Sequence, residues 1–443
     1  MSTETQVPEG STVVTPQIQR RAAIAGAIGT VVEWYDFGLY GTASALFLGP
    51  LFFSGADPVF AVLASFATFA VGFAIRPLGG IVLGYLGDRY GRKPVLVLTV
   101  ILMGSATFLI GCLPTSTQVG VLAPILLVLL RLLQGFGAGA ELAGAFTFVR
   151  ESSTKRRRGF TTGISAAAAG FGQFLGNVGF FILNSTLSTD AMLAWGWRIP
   201  FLASIVIVVV AILVRNKLQD SPELIKLREE EAKKPRPRRI PLVEIVRNRP
   251  VAWLAGFLVP TMVGFVGYTT QTFGVSFAVN QGHVSSQVTL TALLIMGVAS
   301  TVTCIFFGWL ADRIGSQRVL YLGALCSIIW AFPFFALIQT GEPVLVIVAI
   351  VISYAIGFSM ASAAQGDFLP SLFETRYRFS GVATSREFSS ALVAGPAPFV
   401  GAALTLAAGG SPWLVSVALI VACLLTALGT FIGQRQRRIH GVD

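Results

Sequence analysis

The sequence alternates long apolar runs with short polar segments from residue 24 to residue 433. Many of these runs approach or exceed the roughly 20 residues that an α-helix needs to cross a bilayer. Because backbone groups in lipid must be hydrogen-bonded within their own segment, each run is predicted to be a helix. The pattern predicts twelve spans, at residues 24–50, 58–83, 95–113, 121–149, 160–184, 197–214, 251–279, 288–311, 319–339, 343–366, 379–407 and 412–433.

The hydrophilic segment 215–250 separates the first six predicted spans from the last six. Ser221-Pro222-Glu223 is typical of a helix start, so a short surface helix is predicted over residues 222–234. The predicted fold class is an all-α polytopic membrane protein with twelve transmembrane helices in two six-helix bundles. Its predicted parts are a disordered amino terminus (1–19), an amino-terminal bundle (20–214), a linker (215–250), a carboxyl-terminal bundle (251–433) and a tail (434–443).

The composition agrees with a membrane protein, because only 12% of the residues are charged and 54% are hydrophobic. A soluble protein carries roughly 25% charged residues. The net charge of +11 would suit a nucleic-acid partner, but the basic residues lie in the turns between apolar runs. The lipid bilayer is therefore the predicted partner, and nucleic acid is excluded.

The basic residues also predict an orientation. Arg76, Arg131, Arg198 and Arg386 fall within or at the edge of a predicted span, and every other Lys or Arg lies in the amino terminus, an even-to-odd loop or the tail. Cytoplasmic loops carry the excess of Lys and Arg in membrane proteins. Both termini are thus predicted to be cytoplasmic, in a multi-pass protein of the cell membrane.

A charged turn occurs twice, in Gly84–Pro94 and again in Gly308–Arg318, with Gly, Asp, Arg and Gly at the same spacing. A turn repeated at equivalent places in two halves indicates two related bundles. The turn resembles the signature loop of the major facilitator superfamily of secondary transporters. That resemblance implies that the loop joins spans two and three and recurs between spans eight and nine.

Charged residues of these turns and of the loops after spans four and ten are candidates for a gate that closes the cytoplasmic side. An equally open interpretation is that they only set the orientation and keep the loops soluble. The candidate gate residues are Asp88, Arg89, Arg92, Glu151, Asp312, Arg313 and Glu374.

Ionisable side chains inside spans are costly in lipid and are candidates for function. A buried carboxylate can load and release protons, and a guanidinium stays charged and binds carboxylates bidentately. Structural ion pairs are the alternative for each of these residues. They are Glu33, Asp36, Arg76, Arg131, Glu141 and Arg198 in the amino-terminal half, and Asp367, Arg386 and Glu387 in the other half.

Four motifs together resemble the metabolite:proton symporter family, namely Glu33–Phe37, Gly72–Gly80, Arg131–Glu141 and Trp195–Phe201. Members of that family carry α-ketoglutarate, shikimate, citrate, proline or betaine. The resemblance implies that Arg76 and Arg198 anchor the substrate carboxylate. It also implies proton-coupling roles, which fall to Glu33, Asp36, Arg131 and Glu141.

Polar and aromatic side chains in the spans supply further candidates for substrate contacts. The polar ones are Tyr35, Gln173, Asn177, Gln271 and Gln365. Aromatic residues could line a pocket for a ring such as shikimate or a benzoate, although such residues also serve simple packing. These aromatic candidates are Trp34, Tyr35, Tyr268, Phe273 and Phe277.

The predicted function is proton-coupled uptake of a small organic anion, such as a dicarboxylate, α-ketoglutarate, citrate, shikimate or an aromatic acid, by alternating access in a monomer. One alternative is symport of a zwitterionic osmolyte such as proline or betaine. The family's osmosensing members carry a long carboxyl-terminal coiled coil, and here the chain ends about ten residues after the last predicted span. A second alternative is a proton-coupled efflux antiporter, although Gly170–Gly176 lacks the proline typical of antiporters.

An enzymatic function is not predicted. The sequence has no nucleophile elbow, no phosphate-cradling loop and no metal-ligand spacing, and its two histidines and four cysteines are scattered. The cysteines lie in apolar segments, where they are expected to act as small buried hydrophobes. No cofactor is predicted.

Overall fold

The computed structural model describes residues 16–90, 92–139, 157–216, 241–374 and 378–440. All regular structure within these residues is helical, and twelve long rods confirm the predicted fold class. Short helices lie between the rods at Leu48–Phe52, Ser116–Val119, Thr189–Ala191 and Pro241–Asn248. We number the rods α1 (Pro16–Leu46), α2 (Pro58–Ala74 and Arg76–Tyr90), α3 (Arg92–Cys112), α4 (Leu122–Ala138), α5 (Arg158–Thr186), α6 (Arg198–Asn216), α7 (Pro250–Asn280), α8 (Ser286–Ile314), α9 (Ser316–Gln339), α10 (Pro343–Leu372), α11 (Arg378–Ala407) and α12 (Trp413–His440).

Most of these rods have the length and apolar composition that a membrane span needs. In the described part of the chain, eight helices meet both criteria, and α6 joins Thr189–Gly196 in a ninth candidate that is bent by 45°. Shorter apolar stretches, Val97–Cys112 and Leu122–Ala138, lie in α3 and α4. Large apolar side chains such as Val302, Ile329 and Leu392 are more than 60% exposed on the outside, where lipid would cover them.

The ends of the chain are more helical than the sequence predicts. Residues 16–19 were predicted to be disordered, but α1 begins at Pro16, where a proline is well suited to the first helical position. At the other end, α12 continues to His440 through most of the predicted tail, because no Gly or Pro occurs between Gln434 and His440. The predicted surface helix 222–234 lies outside the described residues, and a different short helix, Pro241–Asn248, precedes α7.

Three rods contain a π-helical turn, a wider turn that occurs often at functional sites. In α7 it covers Thr269–Phe273, in α10 it covers Ser353–Phe358, and in α11 it covers Ser390–Ala394. All three rods belong to the carboxyl-terminal half, and a fourth π-helical turn, Met192–Gly196, precedes α6 in the amino-terminal half. Residues within or next to the turns in α7 and α11 line the central cavity described below.

The two halves meet closely along α5 and α8 because glycines let their backbones approach. A Cβ atom at Gly163 would lie 2.7 Å from the carbonyl oxygen of Cys304 and 2.9 Å from the Cα atom of Gly308. Small residues permit such contacts between helices in lipid. At the far end of this pair, the Asn184 amide donates a hydrogen bond of 3.0 Å to Gln287. The α5–α8 contact therefore extends over almost the full length of both helices.

Candidate functional site

Four charged side chains meet at the centre of the molecule, where the two halves face each other. Arg76 on α2 donates from Nη2 to Glu33 Oε1 on α1 over 2.8 Å, and from Nε to Glu387 Oε2 on α11 over 2.6 Å. A longer bond of 3.3 Å joins Arg76 Nη2 to Glu387 Oε1. Arg386 Nη1 donates to the same Oε1 atom over 3.0 Å. We call these four residues the central charge cluster.

The central charge cluster is enclosed, because Arg76 is 2% exposed and Glu387 is 1% exposed. Removing ions from water is costly, and a buried pair is stable only when geometry and hydrogen bonding are good. Two acids and two arginines balance each other here, and the Arg76–Glu387 pair has the bidentate form that suits a guanidinium. The ring faces of Phe37 and Phe73 lie 5.0 and 5.3 Å from the Arg76 guanidinium and add cation–π attraction.

Local sequence explains why Arg76 points into this centre. The first segment of α2 ends at Ala74, and the second begins at Arg76. Around this break the backbones of α2 and α4 are in direct contact. A Cβ atom at Gly135 would lie 1.8 Å from the carbonyl oxygen of Gly72, so only glycine allows this approach. The close α2–α4 contact holds the break, and with it Arg76, at a defined place.

A cavity lies beside the central charge cluster and is bounded by both halves of the protein. Charged groups, aromatic rings and one amide share its wall. The lining side chains come from α1 and α2 on one side and from α7, α10 and α11 on the other. They include Glu33, Trp34, Phe73, Arg76, Tyr268, Gln365, Arg386 and Ser390.

Aromatic rings form one wall of the cavity. Trp34 of α1 stacks on Tyr268 of α7, with ring centroids 6.2 Å apart and planes only 10° from parallel. Phe69 and Phe73 of α2 meet Tyr268 edge-on at 5.1 and 5.2 Å. Phe358 of α10 meets Trp34 edge-on at 5.7 Å. These rings link the two halves and present a flat apolar surface next to the arginines.

Buried amides and a phenol near this wall leave polar atoms for a ligand. Gln173 of α5 donates a hydrogen bond to Gln271 of α7, and Tyr354 stacks on Phe358 at 3.9 Å. Gln271 Nε2 and Gln365 Oε1 have no hydrogen-bond partner among the described residues, and the Tyr354 hydroxyl lies next to the Gln173 amide. Buried polar atoms of this kind are rare and need an explanation, such as a bound molecule. Of these residues, only Gln365 lines the cavity itself.

A second group of polar residues lies within the amino-terminal half. Arg131 of α4 stacks over the Tyr40 ring at 3.8 Å and donates to the backbone carbonyl of Phe69 over 3.2 Å. Asp36 of α1 interacts electrostatically with Arg131 and is 2% exposed. Its Oδ2 atom has no hydrogen-bond partner among the described residues. Arg131 and Asp36 are therefore two buried, oppositely charged groups that interact within the amino-terminal half.

The structure does not bring Arg198, which is predicted to be a substrate anchor, to the cavity. Arg198 opens α6, and its Nη1 atom donates to the carbonyl oxygens of Gly111, at 2.9 Å, and Leu113. Its guanidinium also stacks over the Trp197 ring at 4.5 Å. Carbonyl groups at a helix end lack partners within the helix, and Arg198 satisfies those that end α3.

Two other residues that are predicted to contact the substrate, Tyr35 and Asn177, form hydrogen bonds within the amino-terminal half. The Tyr35 hydroxyl donates to the carbonyl oxygen of Pro200 over 2.7 Å. Asn177 accepts from the Thr42 hydroxyl over 2.6 Å and donates to the Gln173 carbonyl oxygen over 2.8 Å. Neither side chain lines the cavity, and their roles in substrate binding stay predictions. The aromatic candidates Phe273 and Phe277 pack on Phe335 and do not line it either.

The predicted cluster of Asp312, Arg313 and Glu374 does not form. Asp312 accepts hydrogen bonds from the backbone N–H groups of Gly159, at 2.6 Å, and Phe160, at 2.9 Å, which begin α5. Arg313 stacks over Trp309 at 4.1 Å, and Glu374 pairs with Arg249 at the surface. Asp312 instead binds the N–H donors at the start of α5, a helix of the other half. Arg313 and Glu374 contact other residues, Trp309 and Arg249.

Other predicted site residues cannot be placed. Glu141 and Glu151 lie outside the described residues, as do the side chains of Asp88, Arg89 and Arg92. Conversely, the sequence assigned no role to Arg386 or Glu387, although the rule on ionisable residues in spans singled out both. No sequence signal indicated that Glu387 meets Arg76, because the two residues are 311 positions apart.

Comparison with known sequences agrees with this architecture. Residues 26–396 match the profile of the Major Facilitator Superfamily. The chain is 36% identical to the shikimate transporter of Escherichia coli strain K12 over 420 residues, which cover 95% of each chain. It is also 33% identical to the proline/betaine transporter of the same strain over 408 residues, which cover 89% of this chain and 78% of that one.

Comparison with solved structures supports the same fold. The xylose transporter XylE from E. coli, in a partially occluded inward open conformation, superimposes with a TM-score of 0.71 at 14% identity, and the match covers 94% of this chain and 97% of that chain. A crystal structure of a D-xylose-proton symporter matches with a TM-score of 0.70 at 16% identity, over 92% and 97% of the two chains. At such low identity the likeness concerns the fold alone.

Proposed function

The chain belongs to the major facilitator superfamily and is a secondary transporter, and from its central cavity we propose that it takes up a small organic anion together with protons. The observation that carries this proposal is the pair of buried arginines, Arg76 and Arg386, at a cavity shared by both halves. Transporters of this architecture bind substrate near the membrane midplane between their two repeats. A guanidinium there is a permanent cation that fits a carboxylate bidentately.

The surroundings of the arginines favour a carboxylic acid built on a ring. The Trp34–Tyr268 stack and Phe73 offer flat apolar surface beside the charges. Gln365 Oε1 lacks a partner among the described residues and lines the same cavity, so it can accept a hydrogen bond from a substrate hydroxyl. A hydroxylated ring acid matches this combination, and the name of the shikimate transporter relative points to the same class.

Proton coupling is proposed for carboxyl groups close to the arginines. Glu33 belongs to the central charge cluster, and Asp36 lies one helical turn further along α1, near Arg131. A carboxyl group that exchanges an arginine partner for a proton links proton binding to substrate binding. Glu141, which lies outside the described residues, remains a predicted member of this set.

The cytoplasmic gate is proposed to include the contact of Asp312 with the start of α5. The positive-inside pattern makes this the cytoplasmic end of the bundle. A carboxylate at a helix amino terminus is stabilised by the two N–H bonds and by the helix dipole. Alternating access requires α5 and α8 to separate at one end at a time, so this contact would break when the cytoplasmic side opens.

Uptake into proteoliposomes tests the proposal. Labelled α-ketoglutarate, citrate, shikimate and benzoate would each be offered with and without an inward proton gradient, with proline as the zwitterionic control. We expect the gradient to drive accumulation of at least one acid. Accumulation of no acid, in vesicles with verified protein orientation, would contradict symport and leave the proton-coupled efflux antiporter as the alternative.

A zwitterionic osmolyte is the second candidate substrate, and one observation favours it. The central charge cluster contains acids as well as arginines, so it could bind the ammonium and the carboxylate of one molecule. A proline/betaine transporter is also among the relatives. Accumulation of proline, without any of the acids, would select this candidate.

A further inference from the structure

We propose that the Glu387 carboxylate and the substrate carboxylate bind the same two arginines in turn, and that a proton on Glu387 releases both arginines to the substrate. This inference rests on the proposed function, because it assumes that an organic anion is carried. It assigns to Glu387 the role of a positioning residue, an internal competitor that links one proton to one carboxylate.

The geometry of Glu387 is that of a bound anionic ligand. Its Oε2 atom accepts from Arg76 Nε, and its Oε1 atom accepts from Arg76 Nη2 and from Arg386 Nη1. One carboxylate thus receives three charge-assisted hydrogen bonds from two guanidinium groups. A substrate carboxylate of the same shape can accept the same three bonds only after the glutamate has left them.

Glu387 and Glu33 belong to different halves of the protein. Glu33 and Arg76 lie on neighbouring helices of the same half and share one hydrogen bond of 2.8 Å. The bonds between Arg76 and Glu387 cross from the amino-terminal half to the carboxyl-terminal half. Releasing Glu387 therefore removes its three bonds to the arginines and a contact between the halves in one event, whereas releasing Glu33 leaves the Arg76–Glu387 contact between the halves in place.

Charge balance among the described residues favours a proton when the substrate enters. Glu33 and Glu387 pair there with Arg76 and Arg386. A substrate carboxylate would be a third negative charge among two positive ones, and an unbalanced buried charge is strongly destabilising. One proton on Glu387 restores neutrality, since the arginines then face Glu33 and the substrate. The proton binds a carboxyl oxygen from water on the open side and returns to water after release on the other side.

Among the described residues, the other charged and titratable groups around Glu387 come from α1, α2, α4, α7 and its own helix. Glu33 faces it from α1, Arg76 from α2, Arg386 from its own helix, and Tyr268 from α7, where the phenol interacts with the same arginines. Arg131 of α4 lies behind Arg76. From α10 the cavity receives only an amide, Gln365, among the described residues.

Equilibrium binding at different pH values tests the inference. Purified full-length protein would be titrated with shikimate and with benzoate, by calorimetry, from about pH 6 to pH 9, where a carboxylic acid is ionised throughout. If substrate binds only when Glu387 carries a proton, Kd rises about tenfold per pH unit on the alkaline side, by one-proton linkage. In Glu387→Gln, which is neutral at every pH, we expect this tenfold rise of Kd per pH unit to be lost.

Two further variants serve as controls. Glu374→Gln makes the same chemical change at a surface ion pair with Arg249, away from the cavity, and should keep the wild-type pH dependence. Glu387→Asp retains a carboxyl group on a shorter side chain and should also keep a pH-dependent Kd. This second variant separates a titrating carboxyl group from a side chain that is needed only for shape.

Transport assays give an independent readout. Glu387→Gln should still exchange labelled for unlabelled shikimate or benzoate across the vesicle membrane, since exchange needs no net proton movement. It should not accumulate either acid under a proton gradient that drives accumulation by the wild type. Folding of each variant would be verified by size-exclusion chromatography.

Results that contradict this inference can be distinguished from results that contradict the proposed function. If Glu387→Gln keeps the wild-type pH dependence of Kd, the inference is overturned and the proposed function stays intact. The same holds if a folded Glu387→Gln protein loses all binding and exchange. If the wild type neither binds nor accumulates an acid, the proposed function itself fails, and the inference fails with it.

Discussion

At the scale of single residues, Arg76 has the most demanding position in the described part of the chain. Its guanidinium contacts Glu33 and Glu387 at the same time while two phenyl rings flank it. A planar fork with several donors can satisfy both acids, whereas an ammonium is a point charge on a flexible stem. The identity of this residue as arginine is therefore expected to matter more than its charge.

Arg76→Lys is expected to abolish uptake while the amount of protein in the membrane stays near the wild-type level. The lysine cannot reproduce the bidentate contact with Glu387 and the bond to Glu33. Arg198→Lys is the matched control, because Arg198 donates to backbone carbonyls that an ammonium can also reach. Initial uptake rates normalised to membrane abundance would be compared, and a normal rate for Arg76→Lys would remove Arg76 from the site.

Gln365→Leu is expected to weaken binding of a hydroxylated ring acid but not of its unhydroxylated analogue. The amide oxygen of Gln365 lines the cavity without a partner among the described residues. A hydrogen bond between neutral groups contributes about 1 kcal/mol, which corresponds to roughly a fivefold change in Kd. The Kd values of shikimate and benzoate would be measured for the variant and the wild type. Equal weakening for both acids would show that the substitution damages the cavity and does not remove a specific contact.

At the scale of elements, the contact between α5 and α8 has a different character at each end. At one end the Asp312 carboxylate binds two backbone N–H groups that begin α5. At the other end a neutral hydrogen bond joins Asn184 to Gln287. Charge-assisted bonds are about twice as strong as neutral ones. The end with Asp312, which we infer to be cytoplasmic, is thus the more firmly closed of the two.

Asp312→Ala is expected to favour opening of that end. Cys304 of α8 is buried beside Gly163 of α5, so its reaction with N-ethylmaleimide reports separation of the two helices. In a background where Cys304 is the only cysteine, we expect its labelling rate to rise about tenfold. That factor corresponds to the loss of roughly 1.4 kcal/mol, within the range for a charged hydrogen bond. An unchanged labelling rate would show that the Asp312 contact does not hold the gate.

At the scale of the whole molecule, the described charges of the interior are balanced. Two acids and two arginines form the central charge cluster, and Asp36 accompanies Arg131. The two halves share the first of these groups, so motion between the halves rearranges charges as well as apolar surface. If one proton enters with each carboxylate, a monocarboxylate crosses the membrane without net movement of charge.

A membrane potential is therefore expected to have no effect on the accumulation of a monocarboxylate, while a proton gradient increases it. Potassium gradients with valinomycin would set the potential in proteoliposomes at constant pH. One net charge moved per cycle would be worth about 2.3 kcal/mol per 100 mV, roughly a fiftyfold change in accumulation. Such a change for shikimate or benzoate would contradict electroneutral coupling.

The number and places of the spans could be predicted from the sequence, because a helix in lipid satisfies its own backbone and needs only a long apolar run. The ends were harder to predict. Residues 16–19 and 434–440 are helical although they are polar, since helix propensity and the absence of breakers decide helix ends outside the apolar runs. Ionisable residues in spans could be identified as well, because each is an exception to a local pattern.

The sequence alone determined that this protein is a twelve-helix membrane protein with two related halves and which of its residues are unusual for lipid. Only the tertiary structure decided which of them meet. It pairs Arg76 with Glu387 across 311 positions, places Asp312 at the start of α5 and leaves Arg198 on backbone carbonyls. The physical reason is that hydropathy is a local property of each segment, whereas the partner of a buried charge depends on how separate helices pack.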